Sequence, residues 1–206
     1  LQFSENDSWT DIQLPVLEEV SGAFRVRENY NTGIETISAP SLETIGGDLY
    51  IYYNYQLEEL DLSGLVQVSG MVYIYYNESL ELLELGALEE VNSSFNIYYA
   101  QQIETLDLAS LVEINGSMTI SNTSLETLSA PLLDTLDSNL YIQDNSNLNS
   151  IDLSSLECVN DYTIEGNDLT EDDQYDLLVQ LTCASEGSLI VFSADDADDW
   201  CGAGET

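Results

Sequence analysis

The amino-acid sequence predicts an all-β protein, a β-solenoid of about seven coils with about 23 residues in each. A segment that begins at Asp48 as Asp-Leu-Tyr-Ile-Tyr-Tyr-Asn returns in related form at Met71 and at Ser94, each time 23 residues later. Apolar and polar residues alternate inside each copy, which is typical of a strand with one buried face. Two such strands and a tight third side fill each coil, so there is no room for a full helix in every repeat.

The first 13 residues precede the regular pattern and contain Trp9 in a mostly polar setting. We expect residues 1–13 to form an N-terminal cap, because the open end of a solenoid exposes apolar surface and unpaired strand edges. The chain begins Leu1-Gln2-Phe3 without a charged leader, so we also expect a mature product or an excised fragment.

Residues 14–168 carry the repeats, which are defined by columns of apolar residues. The inward pairs of the first strand are Phe24/Val26, Leu49/Ile51, Val72/Ile74, Phe95/Ile97, Met118/Ile120, Leu140/Ile142 and Tyr162/Ile164. A second column before that strand comprises Val20, Ile45, Val68, Val91, Ile114, Leu136 and Val159. Successive first strands are 25, 23, 23, 23, 22 and 22 residues apart. Length differences therefore fall in turns and leave the apolar columns in register.

The turn after the first strand carries an Asn column, which comprises Asn29, Asn54, Asn77, Asn122, Asn145 and Asn167 and is interrupted at Ala100. We expect a ladder in which each amide satisfies turn backbone groups and contacts the next coil, rather than a ligand site. If this ladder is buried, the glycosylation sequons at Asn77 and Asn122 are inaccessible.

Residues 169–206 depart from the repeat and are predicted to close the solenoid. Thr170 followed by three acidic residues indicates an N-capped helix, and Ser188 to Phe192 indicate a last strand before an acidic tail. We expect one disulfide here, joining Cys183 to either Cys201 or Cys158, which implies an oxidising compartment.

Outward positions of the first strand form a Tyr-rich surface confined to the first four coils. The Tyr face, as we define it, comprises Tyr50, Tyr52, Tyr53, Tyr73, Tyr75, Tyr76, Tyr98 and Tyr99. Arg25 and Arg27, the only basic residues, lie at the head of its columns, where each is expected to cap a ring as a cation–π partner. Stacked Tyr residues stabilise a sheet by themselves. The alternative is a recognition patch for a glycan or a protein.

Acidic residues dominate the second strand, and the chain carries 39 Asp and Glu residues for a net charge of −37. One column comprises Glu35, Glu58, Glu81, Glu104 and Glu126, and another comprises Asp61, Glu84, Asp107 and Asp152. Like charges on neighbouring strands repel, so something must offset them. High ambient salt, as in a halophilic or marine setting, is the simpler answer. Calcium bound by Glu58, Glu81, Glu104, Asp61, Glu84 or Asp107 is the alternative.

Composition also excludes several functions. Nucleic acid and anionic membranes need a basic surface that this chain lacks, and no apolar run is long enough to insert into a membrane. Without His or Lys the common catalytic bases are missing, and no Gly-rich phosphate loop precedes a helix. The acids form a regular ladder rather than a cleft, so we expect no enzyme and no resident cofactor apart from the calcium alternative.

The unit Leu-Val-Gln-Val-Ser-Gly-Met-Val-Tyr-Ile-Tyr-Tyr-Asn-Glu-Ser-Leu at 65–80 resembles the repeat of receptor L domains, which are similar to leucine-rich repeats. Four glycines fit the family pattern G-x-L-x-I-x-x-N, namely Gly22, Gly47, Gly70 and Gly116, whereas Ser93, Ser138 and Asp161 depart from it. The resemblance covers residues 14–168. It implies a right-handed β-helix and extracellular recognition or wall structure, and it carries no catalytic residues.

These observations predict a secreted or surface-displayed adhesion module that binds a protein or a glycan through the Tyr face. One alternative is a structural subunit of a surface layer, sheath or filament, in which the Tyr face meets another copy. The other is a calcium-dependent adhesion domain.

Overall fold

The computed structural model describes residues 1–6, 8–30, 33–157 and 159–181, and it shows a β-solenoid of about seven turns spaced about 23 residues apart. The first ten strands are β1 (Gln2–Ser4), β2 (Asp11–Gln13), β3 (Glu19–Val20), β4 (Phe24–Asn29), β5 (Thr36–Ser38), β6 (Thr44–Ile45), β7 (Leu49–Asn54), β8 (Glu59–Asp61), β9 (Gln67–Val68) and β10 (Val72–Tyr75). The next ten are β11 (Leu82–Glu84), β12 (Glu90–Val91), β13 (Phe95–Ala100), β14 (Glu113–Ile114), β15 (Met118–Thr123), β16 (Thr127–Ser129), β17 (Thr135–Leu136), β18 (Asn139–Gln143), β19 (Ser150–Asp152) and β20 (Asp161–Glu165).

The strands line three faces, and all pair in parallel with the equivalent strand of the next coil. Face A contains the long strands in the order β1-β4-β7-β10-β13-β15-β18-β20. Face B contains β2-β5-β8-β11 as one sheet and β16-β19 as another. Face C contains the two-residue strands β3-β6-β9-β12-β14-β17, so the predicted tight third side is itself a hydrogen-bonded sheet.

The predicted apolar columns form one continuous core. In face A, Val72 pairs with Leu49 and with Phe95, and all three side chains are completely buried. The Leu60 and Val68 columns of faces B and C are buried in the same way. Close coil-to-coil approach explains three of the four pattern glycines, because a Cβ on Gly47, Gly70 or Gly116 would lie within 2.8 Å of backbone in the preceding coil, whereas one on Gly22 would meet nothing.

The N-terminal segment extends the solenoid as strands. Gln2 pairs with Arg25 in face A, and Asp11 pairs with Thr36 in face B, so parallel pairing already begins at residue 2. Phe3 contacts both Phe24 and the exposed Trp9 at centroid distances of 6.4 and 6.0 Å. The segment that we expected to be a separate cap thus covers the first coil by repeating its geometry.

Helix α1 (Glu171–Leu181) covers the last coil, as predicted. The Asp173 amide donates to Thr170 Oγ1 at 3.2 Å, which is the expected N-cap bond, and Leu177 and Leu181 are buried. The Gln180 amide donates to the Leu156 carbonyl oxygen at 3.0 Å and so fixes the helix to the coil below it. The predicted strand Ser188–Phe192, the acidic tail and the cysteines, and with them the disulfide Cys183 to Cys201 or Cys158, lie outside the described residues.

The Asn ladder exists, but its prediction was wrong at one position. Asn29, Asn54, Asn77 and Asn145 are buried, and the Asn29 amide donates to Asn54 Oδ1 at 2.7 Å. Ala100 pairs with Thr123, so Thr123 occupies the column and its hydroxyl donates to Asn145 Oδ1 at 2.7 Å. Asn122 lies one residue earlier and is half-buried, with a φ of 55°. Asn is favoured both at positive φ and in the buried ladder, so an Asn in the sequence fits either of the two adjacent positions, 122 or 123.

One coil interrupts this regularity, and we call residues 95–114 the seam coil. Ala100 breaks the Asn ladder there. On face B this coil forms no strand in the described structure and has one isolated bridge, Asp107 to Ser129, so that face is divided into sheets of four and two strands. The Tyr columns also end in this coil, at Tyr98 and Tyr99.

Candidate recognition surface

The Tyr face is a continuous network of ring contacts on face A. Its eight rings, together with Tyr30 and Tyr55, form 15 ring pairs at centroid distances of 4.4 to 6.4 Å. Most pairs meet edge to face, the arrangement favoured by the quadrupole of the ring. The structure therefore brings together all eight tyrosines that the sequence singled out.

Three of these tyrosines occupy a strained corner. Tyr53, Tyr76 and Tyr99 have φ values of 56°, 51° and 53°, a left-handed conformation that costs about 1 kcal/mol or more for a residue with a Cβ. Their rings stack along the solenoid, at 5.6 Å between Tyr53 and Tyr76 and at 4.4 Å between Tyr76 and Tyr99. Later coils place Asn122, Asp144 and Gly166 at this corner, residue types that tolerate the conformation better.

Both arginines lie at one end of the Tyr face, but only one makes the expected cation–π contact. The Arg25 guanidinium lies 5.3 Å from the Tyr50 ring centroid, and it also approaches Asp48 at 3.8 Å. Arg27 instead forms an ion pair with Glu28 at 2.8 Å. A hydrogen bond with the Tyr52 hydroxyl is the main reason that the pKa of Arg27 is raised.

The packed rings also hold their hydroxyl groups in the neutral form. Exclusion of water, together with a hydrogen bond to Tyr53, raises the pKa of Tyr75 to about 12. Desolvation is likewise the main reason that the pKa values of Tyr50 and Tyr73 are raised. At neutral pH the Tyr face therefore presents uncharged rings and hydroxyl groups.

The central strands of face A carry no charge of their own. No charged residue occurs in β7, β10, β13, β15 or β18, although the chain has 39 acidic residues. We call the outward residues of these five strands the uncharged strip. It extends two strands beyond the tyrosine columns and changes there from aromatic to hydroxyl and amide side chains, such as Thr119 and Gln143.

Within the uncharged strip, two small side chains of β15 stand between the Tyr98 and Tyr141 strands, and we call this position the β15 trough. Thr119 and Ser121 form its floor and are only 5% and 7% exposed. Ser121 pairs with Tyr98 on one side, and Thr119 pairs with Tyr141 on the other, so a half-buried ring rises from each flanking strand. The sequence shows that these strands carry no charge, but only the strand pairing places Thr119 and Ser121 between Tyr98 and Tyr141.

Parts of the acidic columns stack on face B, with an interruption between Glu81 and Glu104 and with Ser129 between Asp107 and Asp152. The Glu58 amide donates to the Glu35 carbonyl oxygen, and the Glu81 amide donates to that of Glu58, at 2.8 and 2.9 Å. The Glu126 amide donates to the Glu104 carbonyl oxygen at 3.3 Å. These bonds place the side chains of the column on successive coils.

Asp61 and Glu84 form a carboxyl pair on the same face. Desolvation and the neighbouring Asp61 raise the pKa of Glu84. Desolvation opposes ionisation of Asp61 as well, but hydrogen bonds from Ser63 and Ser38 lower its pKa overall. Glu84 is therefore the first of the two carboxylates to take up a proton as the pH falls.

A cavity of about 390 Å³ opens where face B is divided, between Glu84 and Asp107. Across residues 1–6, 8–30, 33–157 and 159–181, no three Asp, Glu, His or Cys side chains are grouped closely enough to hold a metal ion. Calcium binding by the acidic columns stays a prediction.

No family model, curated protein or solved structure matches this chain. The resemblance to receptor L domains stays a prediction that rests on the residues at 65–80 and the glycine pattern. In the described part of the chain, no helix has the length and apolar character needed to cross a bilayer.

Proposed function

We propose that the protein is a non-enzymatic recognition or adhesion module, secreted or displayed at a cell surface, which binds a protein or a glycan through the Tyr face. The observation that carries this proposal is the uncharged strip on a chain of net charge −37. Sheet packing explains why tyrosines neighbour each other, but it does not explain why β15 and β18, without Tyr columns, also lack acids.

The choice of residue at the positive-φ corner supports the same proposal. Positive φ recurs there in every coil, at Glu5 and Glu28 as well as at the tyrosines, so the conformation itself belongs to the fold. Tyr76 and Tyr99 nevertheless stand where Asn or Gly is less costly, and the chain uses those residue types at the same corner in later coils. Location outside the cell is supported by the resemblance to receptor L domains.

The test is binding by the double variant Tyr52→Ala/Tyr75→Ala on a glycan array and in a pull-down from an extracellular fraction. We expect the variant to lose binding, because it removes two half-buried rings at the centre of the Tyr face. Leu132→Ala is the matched control, since Leu132 is an exposed apolar residue away from face A. Unchanged binding by the double variant would mean that the Tyr face only stabilises the sheet and does not bind the ligand.

Self-association is the second candidate, as in a sheath or filament subunit. Two copies of net charge −37 repel each other, and the uncharged strip is a surface on which they can meet without acid facing acid. In this case light scattering should show assembly that increases with protein concentration and with salt, and Tyr52→Ala/Tyr75→Ala should abolish it. A monomer at all concentrations would exclude this function.

A further inference from the structure

The β15 trough differs from the rest of face A in shape and in chemistry. Its floor is made by Thr119 and Ser121, at positions where β7 and β10 carry tyrosines. Tyr98 and Tyr141 rise from the flanking strands, diagonally across the floor. Strands lie about 4.8 Å apart, so the flanking strands are separated by about 10 Å. Ring-to-ring contact takes about 5 Å, which leaves space for one ring-sized group between the two walls.

Both walls are held in place by an Asn two residues earlier in the chain. The Asn139 amide donates to the Tyr141 hydroxyl at 2.7 Å, and the Tyr98 hydroxyl lies 3.5 Å from Asn96 Oδ1. On the floor the Asn122 amide donates to the Ser121 hydroxyl at 2.8 Å, whereas no described residue hydrogen-bonds the Thr119 hydroxyl. The site thus combines two oriented rings with an unused hydroxyl, a preorganised arrangement that lowers the cost of binding.

We infer that the β15 trough is a subsite for one sugar ring of a neutral glycan, an inference that rests on the proposed recognition function and specifies its ligand. The walls provide aromatic surface for the C–H groups of the sugar. The Thr119 hydroxyl provides a hydrogen bond to its hydroxyl groups, whereas the Gln143 side-chain amide already donates to Glu165 Oε1 at 2.6 Å. The remainder of the glycan lies along the uncharged strip over the Tyr face.

The charge distribution of the protein favours a neutral glycan over a polyanionic glycan or a basic protein as the ligand of this site. A polyanionic glycan is repelled by a chain of net charge −37. A basic protein is attracted to the acidic columns of face B rather than to a strip without acids. A neutral polyhydroxyl ligand has no such preference and fits a surface of rings, hydroxyls and amides.

The test uses the full chain in titration calorimetry with three neutral polysaccharides (a soluble β-glucan, xylan and galactomannan) and with alginate as the polyanionic comparator. We expect at least one neutral polysaccharide to bind and alginate not to bind. Binding of alginate alone, or of none of the four, would overturn the inference.

The decisive variant is Thr119→Tyr/Ser121→Tyr, which fills the trough with the residues that β7 and β10 already carry in the same columns. The register that accommodates Tyr50 and Tyr52 makes a folded product the expectation, and thermal melting checks it. We expect about a tenfold loss of affinity for the neutral polysaccharide, equivalent to about 1.4 kcal/mol. Affinity that is kept or increased would show that aromatic surface alone binds the ligand and would overturn the subsite.

A smaller change keeps the test independent of any misfolding. Thr119→Val removes the free hydroxyl and leaves the volume of the side chain, and we expect a several-fold weaker affinity with an unchanged melting temperature. Tyr52→Ala/Tyr75→Ala, measured in parallel, separates the two proposals. If that variant loses binding while both trough variants keep it, the recognition function stands and the subsite is wrong. If none of the three loses binding, both proposals fail.

Discussion

The Tyr76 and Tyr99 rings stack at a centroid distance of 4.4 Å with 15° between their planes, and both residues adopt a left-handed backbone conformation. The conformation costs each residue about 1 kcal/mol or more, and an aromatic pair returns about 0.5–1.5 kcal/mol. The strain of the two residues together, about 2 kcal/mol, exceeds what their one stacked pair contributes. Ring stacking alone therefore does not explain why the chain places Tyr at this corner.

Replacing Tyr99 by Asn should leave stability within about 1 kcal/mol of the wild type, because relief of the backbone strain offsets the lost stacking. Asn is the residue that the next coil places at the same corner, as Asn122. Urea unfolding measures the change. Tyr99→Ala is the control, since it loses the ring but keeps a Cβ without the tolerance of Asn, and it should be less stable than Tyr99→Asn. Equal stability of the two variants would contradict the strain argument.

The buried Asn ladder should contribute strongly to stability. In Asn54→Ala, the Val26 carbonyl oxygen loses a bond of 3.0 Å and the Asn29 amide loses one of 2.7 Å. We expect a loss of about 3 kcal/mol, because the Val26 carbonyl oxygen and one N–H of the Asn29 amide each stay buried with a hydrogen bond missing, although the Asn29 amide keeps its bond to the Arg27 carbonyl oxygen. Chemical denaturation checks this value.

Asn122→Gly is the matched control for the ladder, because Asn122 lies at the corner with a φ of 55° and outside the ladder. Glycine accepts that conformation, so we expect a change below about 0.5 kcal/mol. A loss of stability as large as that of Asn54→Ala would show that Asn122 belongs to the ladder.

Stability should fall at alkaline pH. The ordinary pKa of tyrosine is 10.0, whereas the pKa of Tyr75 is about 12 in the folded protein. Because the pKa of Tyr75 is higher in the folded protein, its neutral hydroxyl group stabilises the fold. This contribution to the free energy of unfolding is complete below about pH 10 and is lost as the pH rises to about 12. Melting temperature against pH, together with tyrosinate absorbance, measures the effect. The melting temperature of Tyr75→Phe should fall less steeply with pH in this range. A slope identical to that of the wild type would refute the role of Tyr75.

Salt should stabilise the protein through screening. With 39 acidic residues and two basic ones, repulsion dominates, and added ions weaken it. We expect the melting temperature to rise by several degrees between low salt and molar sodium chloride. Calcium and sodium chloride at equal ionic strength should give the same value. A higher melting temperature in calcium would instead support the calcium-dependent adhesion domain.

Periodicity in the sequence was sufficient to predict the solenoid, because the core columns need only apolar residues at fixed spacing. Leu49, Val72 and Phe95 differ in shape but share one buried column. The sequence did not settle which of Asn122 and Thr123 joins the ladder, because a corner with positive φ and a buried ladder both favour Asn. The β15 trough was missed for another reason. Its floor is defined by what its neighbours carry, and small residues give no signal of their own.

Restoring the missing ladder residue with Ala100→Asn should stabilise the protein by about 1 kcal/mol. The new amide would follow the pattern of Asn77, whose amide donates to the Ile51 carbonyl oxygen at 2.8 Å, and would accept bonds from Asn77. Thermal melting is the measurement. A loss of stability would mean that the coil at Ala100, which is fully buried, has no space for the larger side chain.

We expect the seam coil to divide the solenoid into two cooperative units, although faces A and C pair continuously across it. Stability in a stacked array is a sum of coil terms and neighbour terms, and here a buried amide contact and a face-B strand pairing are missing at the same boundary. The coils on either side should therefore open as separate blocks, with amides near Glu104 exchanging their hydrogens before those near Leu60 or Ile142. The glycan subsite at β15 would then lie just beyond that boundary, where its ligand would join the two blocks and delay their separation.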